Sequence, residues 1–254
     1  MSDTLLREDV EGGVTILTLN RAPVNALNPT YLKEIQNELA AINEDASVRA
    51  VILASGLKVF SAGMDLKEAI AFSSGDQKAV VEGLNATYTR LYSLSKPVIT
   101  AAGGAAIAGG FFFVLAADYT VSSDQAKFGL TEVRVGVDFP IAPLEIARAV
   151  LSPAALRRIM LGGSLLDAAT MKDMGVVDEI TGTDDVMERA LVVARDYATI
   201  PPKTYASVKA QMRERELTRI NTVIAAQSDP TLNSWYSDET PIAMTALLEA
   251  ATRK

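Results

Sequence analysis

Apolar and polar positions divide the chain into a stretch of alternating strands and helices and a later stretch that is mostly helix. Residues 14–19 are β-branched and apolar and end at Asn20-Arg21-Ala22-Pro23, as a strand entering a turn does. Asn28-Pro29 supplies a helix cap and a proline at the first helical position, and Leu32, Ile35, Leu39 and Ile42 follow at helical spacing. Residues 48–53 and 97–102 read as buried strands. The first runs into Ser55-Gly56-Leu57-Lys58 and the second ends at Gly103-Gly104. Residues 107–117 are apolar on every side, which predicts a buried helix, and 118–121 return to strand. From about Leu144 onward, helices are predicted over 144–150, 153–161 and 167–174, the last stopped by Gly175. A short apolar run over 176–180 precedes longer helices over 185–199 and 203–226. Ser228-Asp229-Pro230 breaks the pattern before a last helix over 241–251.

Such alternation implies an α/β architecture of stacked sheets and helices. With 254 residues, 49% hydrophobic and 22% charged, the chain has an ordinary globular composition and room for a large core. Its 31 acidic against 24 basic residues argue against a nucleic-acid partner, which needs a basic face. The first residues lack a signal-peptide pattern, and the apolar run over 101–117 is too short to span a bilayer. A cytoplasmic protein without a membrane partner is therefore expected. Cysteine and histidine are both absent. Disulfides, thiolate nucleophiles, Ser-His-Asp triads and His-ligated metals are excluded, and no metal site is expected. Proton chemistry must fall to a carboxylate, Lys, Tyr, a hydroxyl or a borrowed group.

Three segments could carry such chemistry. The small-residue turn from Phe60 to Lys67 and the Gly/Ala turn from Gly103 to Gly110 both let backbone approach a ligand, and free amides at a helix start favour negative charge. Tight helix–sheet packing would explain the same glycines. The third segment, from Phe128 to Pro140, sets Glu132 among apolar residues. Buried, it would have a raised pKa and could shuttle protons; exposed, it would be a surface glutamate or a partner of Arg134. The residues alone leave both readings open.

Phe60-Ser61-Ala62-Gly63-Met64-Asp65-Leu66-Lys67, the run from Lys96 to Gly110, and Phe128-Gly129-Leu130-Thr131-Glu132 with Gly136 resemble, in order and spacing, the signature blocks of the crotonase (enoyl-CoA hydratase/isomerase) superfamily. Leu19 to Leu27 and Leu161 to Asp178 fit the same pattern. The resemblance implies a core of repeated ββα turns over residues 1–195 and a C-terminal helical trimerisation region over 196–254. It further implies a homotrimer or a hexamer built as a dimer of trimers. The ligand it implies is an acyl-CoA thioester, with coenzyme A arriving as part of the substrate and no separate cofactor. By position, the backbone N–H groups of Met64 and Gly109 would form the oxyanion hole. Arg21 and Pro23 in one turn, with Ala62, Asp65, Leu66 and Lys67 in another, would bind the CoA moiety; Lys67 could equally be a solvated surface lysine. Trp235 and Tyr236 would cover the acyl or CoA site of a neighbouring subunit, or simply pack.

The chain departs from the hydratases of this superfamily at one position. They resemble one another in holding a water between two glutamates; Glu132 matches the second, but the first is Phe112 here. A single carboxylate suits a Δ3,Δ2-enoyl-CoA isomerase, in which Glu132 alone moves a proton from C2 to C4 of a 3-enoyl thioester. Asp138, six residues on, is either a second acid that would reopen hydration or a loop residue at the acyl pocket. A catalytically weak acyl-CoA-binding protein is the remaining alternative.

Overall fold

The structure, a computed structural model, describes residues 3–252. Strands β1 (Leu5–Val10), β2 (Val14–Leu19), β3 (Ala50–Ser55), β4 (Val98–Ala102), β6 (Tyr119–Ser123) and β9 (Glu179–Thr181) form one sheet in the order β1-β2-β3-β4-β6-β9. The β1–β2 pair is antiparallel and every other neighbour is parallel. Strands β5 (Ala106–Ile107), β7 (Lys127–Gly129) and β8 (Leu166–Asp167) form a second, small sheet. The helices are α1 (Pro29–Glu44), α2 (Leu66–Ala69), α3 (Ser74–Tyr92), α4 (Gly109–Leu115), α5 (Glu132–Val135) and α6 (Ile141–Val150). They continue with α7 (Pro153–Leu156), α8 (Ala168–Asp173), α9 (Val186–Ala198), α10 (Pro202–Ala225), α11 (Thr231–Ser234) and α12 (Thr240–Thr252).

The centre of the large sheet is buried on both faces, so β3 and β4 read as near-continuous apolar runs rather than alternating ones. On one face Leu17, Val51, Leu53 and Val98 join a core with residues of α1, α3 and α4. On the other, Val14, Ile16, Ile52, Ile99 and Val121 pack against Val186, Ala190, Val193 and Ala194 of α9. Ile220, Leu232, Trp235 and Met244, from the C-terminal helices, belong to the first of these cores.

Several elements differ from the pattern reading. The helix expected over 107–117 occupies only Gly109–Leu115, because Ala106 and Ile107 pair with Phe128 and Gly129 and Ala108 turns the chain at φ +49°. The strand near 176–180 begins at Glu179, while Val176 and Val177 point into the core. Helix α3 and strand β1 carry no counterpart in the pattern. Helix α3 has a capping box between Ser73 and Asp76 and buries Val80, Leu84, Tyr88 and Leu91. Asn85 and Thr87 are buried on it as well, which blurs the apolar period. Among the described residues no helix is long and apolar enough to cross a membrane.

Helix α10 is fastened to the sheet by buried charge. Lys209 Nζ lies 2.6 Å and Arg213 Nη2 2.7 Å from the two oxygens of Asp118, which also accepts the Val98 amide at 2.8 Å. Helix α6 starts at Pro140 with no side-chain cap of its own. Instead Asp229 accepts the Ile141 amide and Asn85 accepts the Ala142 amide, each at 2.9 Å, and Asn85 donates to Asp229 at 2.8 Å. Two of the helix's open N-terminal amides are thus satisfied from α3 and from the break before α11.

Candidate active site

The two glycine turns meet. Gly63 has φ +79°, and a Cβ there would lie 2.8 Å from the Ile107 carbonyl oxygen and 2.9 Å from Ala108 Cβ, so only glycine permits this approach. The Leu27 amide donates to the Gly63 carbonyl at 2.7 Å, and the Asp65 amide donates to the Leu27 carbonyl at 3.2 Å. This parallel bridge uses the groups on either side of Met64 and turns Met64's own N–H away from Leu27. Across the junction, Gly109 opens α4. Among the described residues, neither the Met64 nor the Gly109 amide donates to a protein acceptor.

Both residues line a cavity of about 140 Å³ whose walls are otherwise largely apolar, including Leu84, Phe112, Phe139 and Trp235. Glu132 also lines it, at the first position of α5. The carboxyl is buried, and its Oε2 has no hydrogen-bond partner among the described residues. Arg134, the partner a surface reading would assign, instead donates to the Gly162 carbonyl. Burial without a counter-charge pushes the Glu132 carboxyl from 4.5 up to about 8. Tyr88, from α3, stands in the same cavity and donates to the Gly109 carbonyl at 2.5 Å. Burial, and secondarily the neighbouring Glu132, raises its phenol well above the ordinary value.

Of the residues singled out in the sequence, Ala62, Met64, Leu66, Gly109, Phe112, Glu132 and Asp138 line this one cavity. Of the three consecutive phenylalanines only Phe112 reaches it; Phe111 packs on Phe128 and Phe113 on Tyr88. Asp138 sits at the exposed rim, and its carbonyl accepts the Trp235 indole N–H at 2.8 Å. Trp235 therefore covers the cavity of its own chain, beside Tyr236, whose hydroxyl donates to the Ala69 carbonyl. Arg21, Pro23, Asp65 and Lys67 lie outside the cavity wall. The Arg21 guanidinium is turned onto the Ala26 carbonyl at 2.6 Å and Glu68 at 3.0 Å. Asp65 caps α2 through the amides of Lys67 and Glu68, while Pro23 and the Lys67 side chain face solvent. Tyr88 has no motif signal; only the docking of α3 reveals it.

A larger groove of about 680 Å³ lies between α1, α3 and the segment near Asp229, but that acid is fully hydrogen-bonded. No group of acids suited to holding a metal ion occurs among the described residues. The chemically distinctive site is the smaller cavity: a lone carboxyl able to exchange protons near neutral pH, next to free donor amides.

Comparison with known proteins agrees with this geometry. Residues 9–251 match the family model described as enoyl-CoA hydratase/isomerase. A probable enoyl-CoA hydratase of Rhizobium meliloti is 31% identical over 222 residues, covering 86% of this chain and 85% of that protein. Human mitochondrial enoyl-CoA delta isomerase 1 is 29% identical over 221 residues, 86% of this chain and 73% of that protein. The crystal structure of human mitochondrial delta3-delta2-enoyl-CoA isomerase superposes with a TM-score of 0.90 at 26% identity, covering 98% of both chains. The fold is the crotonase fold expected from the sequence blocks, with its helical C-terminal region.

Proposed function

Given that the chain belongs to the enoyl-CoA hydratase/isomerase family, we propose that it is a Δ3,Δ2-enoyl-CoA isomerase acting through Glu132 alone. The observation that carries this reading is the unpartnered Glu132 carboxyl in a cavity where Phe112 stands at the position of a second carboxylate. In a 3-enoyl-CoA thioester the C2 proton is flanked by carbonyl and alkene. Glu132 as carboxylate removes it, and the electron pair spreads into a dienolate whose charge gathers on the thioester oxygen. The Met64 and Gly109 amides form the oxyanion hole for that charge, a role in which one donor is commonly worth about 3 kcal/mol. The protonated Glu132 then returns the proton to C4, leaving the 2-enoyl thioester. The apolar wall around Phe112 keeps water from competing for the intermediate. Leu66 and Ala62 border the thioester end, and Asp65, Lys67 and the turn of Arg21 and Pro23 border the CoA moiety. Arg21 acts there through its grip on α2 rather than as a free cation.

Hydration with Asp138 as second acid is the competing reading, favoured by the presence of Asp138 on the same cavity rim. Supplying 3-hexenoyl-CoA and, separately, crotonyl-CoA to the purified protein separates the two, with 2-enoyl thioester absorbance as the readout. Rise of the signal from 3-hexenoyl-CoA, abolished by Glu132→Gln, is the expected result. Rapid loss of the crotonyl signal, or full isomerisation by Glu132→Gln, rejects the isomerase reading; binding without turnover favours an acyl-CoA-binding protein. We further propose a homotrimer or a dimer of trimers, as the family resemblance implies, measurable by light scattering.

A further inference from the structure

The Gly109 amide can serve an oxyanion only if its direction is fixed, and two contacts fix it from either side. On one side, the Ala108 amide donates to the Gly129 carbonyl at 2.8 Å, and Ala108 holds φ +49° and ψ −127°, a conformation a residue with a Cβ rarely adopts. On the other, the Tyr88 hydroxyl donates to the Gly109 carbonyl at 2.5 Å. The peptide between these pins is the one that carries the Gly109 N–H, at the wall of the cavity. Helix α4 offers no side-chain cap to hold it, and Gly109 is the residue least able to hold its own backbone. Tyr88 is itself fully buried, and its ring packs 5.4 Å from Phe112 and 5.3 Å from Phe113.

We propose that Tyr88 is a positioning residue for the isomerisation, aiming the Gly109 N–H at the thioester oxygen through its hydrogen bond to the Gly109 carbonyl. Tyr88 touches neither the reacting carbons nor the proton in flight; it sets how strongly the enolate oxygen is stabilised. The inference rests on the oxyanion-hole reading of Met64 and Gly109. It also explains why a phenol is buried beside an acid in an apolar wall, where a phenylalanine would fill the same space at no polar cost.

Tyr88→Phe keeps the ring and removes the pin. Removing an oxyanion-hole donor outright costs about 100- to 1,000-fold in kcat; mis-aiming one is expected to cost about 10- to 30-fold, with KM within about two-fold. The direct readout is the infrared stretch of ¹³C-labelled thioester carbonyl in bound hexanoyl-CoA, a saturated ligand that cannot isomerise. Wild type is expected to lower this stretch from its value in water, and Tyr88→Phe to return it part of the way. A purely structural Tyr88 would lower the melting temperature while leaving the bound carbonyl stretch and kcat per folded molecule unchanged, and that result overturns the proposal. A wild-type stretch equal to that in water overturns the hole reading and this inference with it. If Tyr88→Phe does not fold, 3-fluorotyrosine placed at position 88 keeps the ring and the hydroxyl and changes how strongly the hydroxyl donates to the Gly109 carbonyl. The bound carbonyl stretch and kcat are expected to shift together at unchanged KM, and both unchanged rejects the proposal.

Discussion

Asp118 and Glu132 are comparably buried carboxylates, yet their surroundings are opposite. Asp118 meets an ammonium, a guanidinium and a backbone amide, every one within 2.8 Å, and joins α10 to the sheet. Glu132 lies in an apolar wall with one oxygen bonded to nothing among the described residues. Burial alone therefore says little about purpose. A buried charge that is paired maintains architecture, whereas one left unpaired is sustained at a cost that the rest of the fold must cover, which is the signature of a group kept for chemistry.

The contrast is sharpest at Glu132 itself. Glu132→Gln is expected to lower the isomerisation rate about 10³- to 10⁴-fold, checked by steady-state assay with 3-hexenoyl-CoA. The same change should stabilise the protein in alkali. A carboxyl raised from 4.5 to about 8 contributes stability fully present below 4.5 and lost as pH rises through 8, because the folded state then holds a buried charge. At 1.36 kcal/mol per unit, the loss is on the order of 4–5 kcal/mol. Melting curves from pH 5 to 9 should show wild type falling progressively below Glu132→Gln as pH rises from 5, the gap reaching its full size and levelling off above about 8. Parallel curves would break the comparison. By the same titration, about one molecule in ten carries the carboxylate at pH 7. kcat/KM should therefore rise with pH to a plateau above about 8.

Asp118 should behave in the reverse sense. Asp118→Ala strands Lys209 and Arg213 with no counter-charge and is expected to cost about 3–5 kcal/mol in denaturant unfolding. Its kcat per folded molecule should stay within about two-fold of wild type. A catalytic collapse with stability intact would reverse the roles assigned to the two acids. The smallest effect is expected at the exposed Lys67. Lys67→Ala should raise KM for the CoA ester about two- to five-fold at low salt and less at high salt, since an exposed charge contributes under 1 kcal/mol.

Much of this was legible along the chain. The central parallel strands are mostly apolar because both faces of the sheet are covered there, so β2, β3 and β4 stand out from composition alone. Met64, Gly109, Phe112 and Glu132 fall in blocks whose spacing is local, and the cavity brings them together. What escaped depends on contacts distant in sequence. The apolar stripe of α3 is interrupted by Asn85 and Thr87, and both are inward-facing because they have partners elsewhere. Tyr88 looks like any core aromatic until α3 docks and sets its hydroxyl on Gly109. Arg21 looks like a free cation for a polyanion, and only the fold shows it committed to Glu68 and the Ala26 carbonyl.

The borrowed cap of α6 has a consequence for the order in which the molecule is made. Pro140 and Pro143, at the start of that helix, form part of the cavity wall, and the Ile141 amide waits for an acceptor 88 residues further along. A ribosome releases this wall long before it releases Asp229, and Trp235 and Leu247 of the same wall come later still, so the cavity is not complete until the C-terminal helices have been made. The segment before α11 then joins α3 to α6 through Asp229. Catalytic competence is thus a late event in the life of each new chain, and a nascent protein carrying Glu132 and both donor amides still lacks a finished site.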